Sequence, residues 1–159
     1  KFHYLIIRTS GVYCGNKNNN FLNTMLKLFK LKKNIDVVDD QIACPTPSWW
    51  LSDVILEIIQ NKIELFSNKS INIIHATAKG EVSWYDFAKQ ILKTVNNFNS
   101  IKYKVTLNRV SSENYISNVN RPKYSVLDNL LLNKFGIDNI DWKTGLEKTL
   151  RDLNSYNEN

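Results

Sequence analysis

The chain has 159 residues, 43% hydrophobic and 23% charged, with a net charge of +6 and a pI near 9.3. That suffices for one sizeable core, a domain or a domain plus a piece of another, with the charged fraction of a soluble globular protein. No run approaches the length of a membrane span, no signal peptide is visible, and the lysines are scattered rather than massed, which argues against a membrane or nucleic-acid binder.

The first element is a near-continuous apolar run over 4–9, which predicts a parallel strand over 4–8, buried on both faces. A parallel strand needs neighbours, and each is reached by a crossover. Because little precedes this strand and the chain does not begin with Met, the expected source is the later part of a larger α/β protein. A loop with Gly11 and Gly15 follows, then an Asn-rich connection over 16–20. Phe21, Leu22, Met25, Leu26, Leu28 and Phe29 form the apolar stripe of a helix from about Asn20 to a stop at Asn34.

A strand over 35–38 turns polar at Asp39 and Asp40 and runs through a small-residue loop to Pro45-Thr46. Thr46 is the expected N-cap and Pro47 the first residue of a helix reaching about Asn61. A strand that hands over to a polar loop and a helix start is a common way to build a ligand site, because the free N–H groups there meet anions. A second buried strand is predicted over 71–75.

Ser83-Trp84-Tyr85-Asp86 reads as a capping-box-like helix start, and Trp84, Phe87, Ala88, Ile91, Leu92 and Val95 keep helical spacing until a break at 96–100. The remainder predicts a strand over 102–110 and a polar stretch over 111–120 with room for one short helical turn. Arg121–Pro122 opens an extended segment. A short helix over 127–135, closed by Gly136, and a last helix capped by Asp141 follow, with a frayed tail over 154–159.

Cys14 and Cys44 lie in no C-x-x-C pattern and read as free thiols in a reducing compartment, so the cytoplasm is expected. His3 and His75 sit in or beside apolar strands and read as core or edge residues. No set of metal ligands stands out. There is no G-x-G-x-x-G, P-loop, H-E-x-x-H or G-x-S-x-G. Two Tyr-x-x-x-Lys matches occur. Tyr13–Lys17 spans a glycine in a loop, which breaks the shared-face requirement, and Tyr85–Lys89 reads as a Tyr and a Lys beside a buried stripe.

Six separated segments then stand in register. They are Arg8-Thr9-Ser10-x-Val12-Tyr13; Asn20-Phe21; Val38-x-Asp40-Gln41-x-x-x-Pro45-Thr46; Gly80-Glu81-Val82-Ser83-Trp84-Tyr85-x-Phe87-Ala88; Arg121-Pro122-x-x-Ser125-x-Leu127-Asp128; and Asp141-Trp142. In this order they resemble the dTDP-4-dehydrorhamnose reductases, which are extended short-chain dehydrogenase/reductases. The resemblance covers nearly the whole chain and implies its C-terminal portion only: the last parallel strands of a Rossmann-type α/β fold plus the smaller substrate-binding lobe.

On that resemblance, residues 1–75 hold the last strands and crossover helices with part of the lobe inserted, and 76–159 the lobe itself. The cofactor-binding half and the catalytic Tyr-x-x-x-Lys are absent, so no catalytic residue is expected in this chain. The implied reaction is reduction of dTDP-4-dehydro-L-rhamnose to dTDP-L-rhamnose by NADPH or NADH, bound mainly by the missing half. The implied substrate-binding residues are Gln41, Arg121, Thr46 and Asn20. Arg121 is a natural diphosphate partner, with pairing to Asp128 as its structural alternative, and Thr46 has simple helix capping as its own. Gly11 stands where the family usually has a Trp that contacts the sugar. The implied partner is a nucleotide-sugar substrate, with a homodimer possible. A second reading is a non-catalytic regulatory or binding protein on the same scaffold, resembling the β subunit of methionine adenosyltransferase; Gly11 suits it.

Overall fold

The computed structural model describes residues 4–15, 19–62, 64, 73–98, 102–115, 119 and 121–157. In chain order the elements are β1 (Ile6–Arg8), β2 (Val12–Tyr13), α1 (Phe21–Leu31), β3 (Asn34–Val38), β4 (Ile42–Ala43) and β5 (Thr46–Pro47). There follow α2 (Ser48–Glu57) with a π-helical turn (Ile58–Lys62), β6 (Ile73–His75), β7 (Val82–Ser83), α3 (Trp84–Phe98), β8 (Thr106–Val110), α4 (Leu130–Lys134) and α5 (Trp142–Asn157). The fold is α/β, as expected.

The strands pair two by two. β1 runs parallel to β6 with Ile6 beside Ile73, and β3 runs parallel to β8 with Ile35 beside Leu107. β2 lies parallel to β5, and β4 lies antiparallel to β7. The first strand is shorter than the apolar run and is covered on one face only. Ile74 is buried, while Ile6 beside Ile73 is 45% exposed.

Side chains gather into two apolar clusters. One joins α1, β3, α3, β8 and α5 through Leu22, Phe29, Val37, Phe87, Ile91 and Leu146. The other joins β6, α2 and α4 through Trp50, Val54, Ile58, Ile74 and Leu132. Each such side chain taken fully out of water contributes about 1.5–3 kcal/mol. α1 and β3 belong to the first cluster, and α4 returns to the second. Trp49 bridges them, its Nε1 donating to Thr149 Oγ1 at 3.1 Å. Gly145 lets α5 approach β5 so closely that a Cβ there would lie 2.9 Å from Pro47 Cγ.

Several boundaries differ from expectation. Asn34 does not stop α1; the helix ends at Leu31, Lys32 turns extended, and Asn34 already belongs to β3. Thr46 is not an N-cap and Pro47 is not helical. Both form β5, and Pro47 precedes the helix without a side-chain cap. A residue before proline is driven out of the α region, so Thr46 is extended for the same reason as Arg121. The strand expected over 102–110 is confined to Thr106–Val110, and α4 starts only at Leu130. The tail is not frayed from 154; α5 continues to Asn157. Residues 71 and 72, the Asn-rich 16–18 and part of the 111–120 stretch lie outside the described residues. Among those described, 111–115 holds turns and no helix. The start of α3 is as read: Ser83 Oγ accepts from Asp86 N at 3.1 Å.

Candidate functional site

The segment 39–46 is the point at which several of the other motif-bearing stretches meet. Asp39 leaves the carboxyl end of β3 and splits its carboxylate. Oδ1 accepts from Ser83 Oγ at 2.7 Å and Oδ2 from Arg109 at 2.6 Å. Arg109 also lies 4.3 Å over the Tyr85 ring, and Asp39 raises its pKa further above the ordinary arginine range. Asp40 accepts from both the backbone N–H and the hydroxyl of Ser112, each at 2.8 Å. The Ser112 hydroxyl is the main reason that its carboxyl pKa is lowered.

Gln41 gives its carbonyl to Trp84 N at 3.3 Å, anchoring the start of α3. Ile42 faces Ser83 on one side, and on the other it accepts Ser125 N at 2.9 Å and donates to Lys123 O at 2.8 Å. Thr46 closes the segment. Its N–H donates to Gly11 O at 3.1 Å, its hydroxyl donates to Cys44 O at 3.0 Å, and the same hydroxyl accepts from Ala78 N at 3.1 Å. Ser10 Oγ reaches Ser125 Oγ at 3.4 Å, so the Gly11 loop touches the segment that carries Arg121.

The five residues singled out for substrate binding thus have different surroundings. Gln41 is half-buried, and its side chain has no hydrogen-bond partner among the described residues. Arg121 is exposed and has no ion-pair partner among them. The Asp128 pairing is not made; Asp128 Oδ1 accepts from Leu130 N at 2.8 Å instead. Thr46 is fully buried with its hydroxyl engaged, which leaves it no reach to a ligand. Asn20 caps α1 through Asn23 N at 3.1 Å and donates to Cys14 O at 3.0 Å. Gly11 has φ +57°, and a Cβ there would lie 3.1 Å from Cys44 O and 3.2 Å from Pro45 Cα. Of the Tyr-x-x-x-Lys matches, Tyr13 is buried against Phe87 at 5.4 Å and Lys17 lies outside the described residues. Tyr85 is half-buried under Arg109 rather than free. His75 Nδ1 lies 3.0 Å from Asp128 O, an edge contact; His3 lies outside the described residues.

Two clefts flank the hub. The larger, about 750 Å³, is lined by Cys44, Lys79, Glu81, Asp128, Asn129 and Asn139 among others. The smaller, about 390 Å³, is lined by Asp39, Glu81, Ser83, Asp86 and Arg109 among others. Glu81 belongs to both, and Tyr124 Oη donates to its carboxylate at 2.5 Å. That bond raises the Tyr124 pKa, and burial raises that of the Cys44 thiol.

Sequence reading missed Asn129 and Thr77, whose side chains fix the loop behind the larger cleft. It also missed the Asp39–Arg109 pair. The switch from Val38 to two aspartates was the available signal for the pair; Asn129 carried none.

The other glycines serve close packing and a helix end. A Cβ on Gly15, Gly80 or Gly145 would strike this chain's own Leu153, Trp142 or Pro47, and Gly136 ends α4. No helix among the described residues is long and apolar enough to cross a membrane.

Comparison with known proteins gives the same picture at whole-chain scale. A family model, the RmlD substrate binding domain, matches residues 1–155. The spore coat polysaccharide biosynthesis protein SpsK of Bacillus subtilis is 35% identical over 150 residues, 94% of this chain and 48% of that protein. The dTDP-4-dehydrorhamnose reductase of Aggregatibacter actinomycetemcomitans is 33% identical over 155 residues, 97% of this chain and 51% of the enzyme. The crystal structure of a dTDP-4-dehydrorhamnose reductase from Clostridium acetobutylicum superposes with a TM-score of 0.81 at 33% identity, covering 95% of this chain and 49% of that one. The Bacillus anthracis reductase, solved in complex with NADP, gives 0.79 at 33% identity over 95% and 49%. The chain spans about half the length of the curated relatives it matches. With its α/β fold, its hub at 39–46 and a family match running through 155 of its residues, the chain belongs to the RmlD substrate-binding-domain family.

Proposed function

We propose that this chain is the substrate-lobe portion of an NAD(P)H-dependent dTDP-4-dehydrorhamnose reductase. The whole protein reduces the C4 carbonyl of dTDP-4-dehydro-L-rhamnose to give dTDP-L-rhamnose, a precursor of cell-surface polysaccharide, in the cytoplasm. The chain alone is expected not to turn over, because hydride transfer needs a bound nicotinamide and the chain covers only about half of the reductases it resembles.

The observation that carries the reading is the pair Gln41 and Arg121. These are polar groups without partners among the described residues, on two segments joined backbone to backbone at Ile42. A guanidinium of this kind suits a diphosphate, and an amide suits sugar or base edges. Thr46 contributes by holding the loop rather than by touching the ligand, and Asn20 by starting α1.

The test is NADPH oxidation with dTDP-4-dehydro-L-rhamnose, using the 159-residue chain and the polypeptide encoded by the whole gene. Turnover by the chain alone overturns the partial-enzyme reading. Failure of the complete polypeptide overturns the reductase reading. The second reading, a non-catalytic binding protein on this scaffold, draws on Gly11. The positive φ and the close backbone of Cys44 and Pro45 make a side chain at this position strained in the present loop conformation. Nucleotide-sugar binding without turnover by the complete polypeptide supports it.

A further inference from the structure

The lysines look scattered along the sequence, but the fold collects a set of them at one end of the β3–β8 pair. Residues 21–35 and 87–105 carry eight lysines and no aspartate or glutamate. The two stretches meet at Tyr103. Its ring packs against Phe29 near the end of α1, with centroids 6.2 Å apart. Its N–H donates to Asn96 Oδ1 at 2.8 Å, and Asn96 Nδ2 donates to Tyr103 O at 3.1 Å, which brings in the carboxyl end of α3. Thr106 N donates to Lys33 O at 2.8 Å, and β3 and β8 pair in register from Asn34 and Thr106 onward. Carried two residues back, that register sets Lys32 beside Lys104.

Around this junction Lys27, Lys30, Lys32, Lys33, Lys93 and Lys104 are all exposed, and none has an ion-pair partner among the described residues. The hub lies at the opposite end of the same strands, where Asp39 and Asp86 hold Arg109 and Asp40 faces Lys123. Charge is therefore separated along the strands, basic at their amino ends and acidic at their carboxyl ends. Helix ends explain part of this, since cations suit the last turns of α1 and α3. They do not explain Lys104, which lies outside both helices. Nor do they explain two large apolar side chains left among the lysines, Leu31 at 68% and Phe98 at 39% exposed.

Like charges gathered in this way repel one another, and an anionic partner relieves the repulsion. The apolar pair decides which partner. A nucleic acid offers phosphates but no apolar phase for Leu31, whereas a bilayer with anionic headgroups offers both. We infer that the amino-end face of β3–β8, with the ends of α1 and α3, is a docking surface for a bilayer carrying anionic headgroups. The lysines meet the headgroups, and Leu31 and Phe98 enter the acyl boundary. The hub and its clefts stand at the far end from the lipid. The inference does not rest on the proposed activity, and its test reads partitioning rather than turnover.

The complete polypeptide is sedimented with vesicles of equal parts phosphatidylglycerol and phosphatidylcholine, and with vesicles of phosphatidylcholine alone. The expected result is binding to the anionic vesicles only. Lys32→Glu/Lys104→Glu should lower the partition coefficient roughly tenfold or more, while Lys134→Glu/Lys143→Glu, the same charge change on α4 and α5, leaves it unchanged. Leu31→Ser keeps every charge and should lower it roughly threefold or more. Every changed position is already exposed, and circular dichroism confirms that each variant is folded. Absence of binding to the anionic vesicles overturns the inference. So does an equal loss in the α4–α5 control, or unchanged binding in Leu31→Ser, because the attraction would then be one of net charge. Tighter binding to duplex DNA or RNA, lost in Lys32→Glu/Lys104→Glu and kept in Leu31→Ser, assigns the face to nucleic acid and overturns the inference as well.

Discussion

Asn129 grips Thr77 as a neighbouring strand would. Its Nδ2 donates to Thr77 O and to Thr77 Oγ1, each at 3.0 Å, and its Oδ1 accepts from Thr77 N at 3.0 Å. One buried amide therefore satisfies both backbone polar groups of the residue that follows β6 by two positions. Such groups are costly when left unpaired out of water. Asn129→Ala is expected to lower stability by roughly 2–4 kcal/mol, two unpaired groups at 1–3 kcal/mol each with some relaxation. Asn129→Asp keeps the acceptor, loses the donor and buries a charge, so it should be at least as harmful at neutral pH and milder in acid. Urea unfolding of the two variants, each at pH 7 and pH 4.5, checks both statements.

Gly11 combines φ +57° with backbone atoms 3.1 and 3.2 Å from where a Cβ would stand. A non-glycine residue in the left-handed region costs about 1–2 kcal/mol before any contact is counted. Gly11→Ala should therefore destabilise by about 1–3 kcal/mol. Gly11→Trp should cost more or force the loop over 9–12 to rebuild, visible as lost protection of the Thr46 amide, which donates to Gly11 O, in hydrogen exchange.

Asp40 gives the fold an acid-sensitive joint. Its folded pKa lies below the ordinary value of 3.8, first because of the Ser112 hydroxyl. A depressed carboxylate contributes stability that is complete above its unfolded pKa and is lost as pH falls through the folded one. Stability from this joint should be constant from neutrality to about pH 4 and fall below that. In Asp40→Asn this part of the acid decline is missing. Unfolding midpoints between pH 7 and pH 2.5 test the difference.

Arg121→Ala should leave the melting temperature unchanged, because the side chain is exposed with no ion pair among the described residues. If Arg121 meets the diphosphate, the same change weakens dTDP binding by the complete polypeptide roughly tenfold to a hundredfold, the worth of a charged hydrogen bond. Arg121→Lys should recover part of it. Isothermal titration with dTDP is the measurement; equal affinity in the alanine variant removes Arg121 from the site.

What the sequence made legible was local and periodic. The helix after Ser83 could be read because a capping serine, an aspartate three residues on and a 3.6-residue stripe agree with one another. The loop over 39–46 stood out as a candidate because a strand turned abruptly acidic at Asp39. Thr46 was misread because threonine before proline serves equally as an N-cap or as extended chain, and only the partner at Gly11 decides between them. The Asn129–Thr77 grip, 52 residues apart, has no sequence signature, since it depends on α4 folding back over the end of β6. The single-sided burial of β1 was equally invisible: an apolar run says that a face prefers cover, not that this chain provides it.

The Trp49–Thr149 bond has a bearing on motion as well as on packing. It pins the first turn of α2 to the middle of α5, with Lys148 resting 4.7 Å from the Trp49 ring. A crosspiece at that height ties the two apolar clusters together, so moving one against the other requires breaking it.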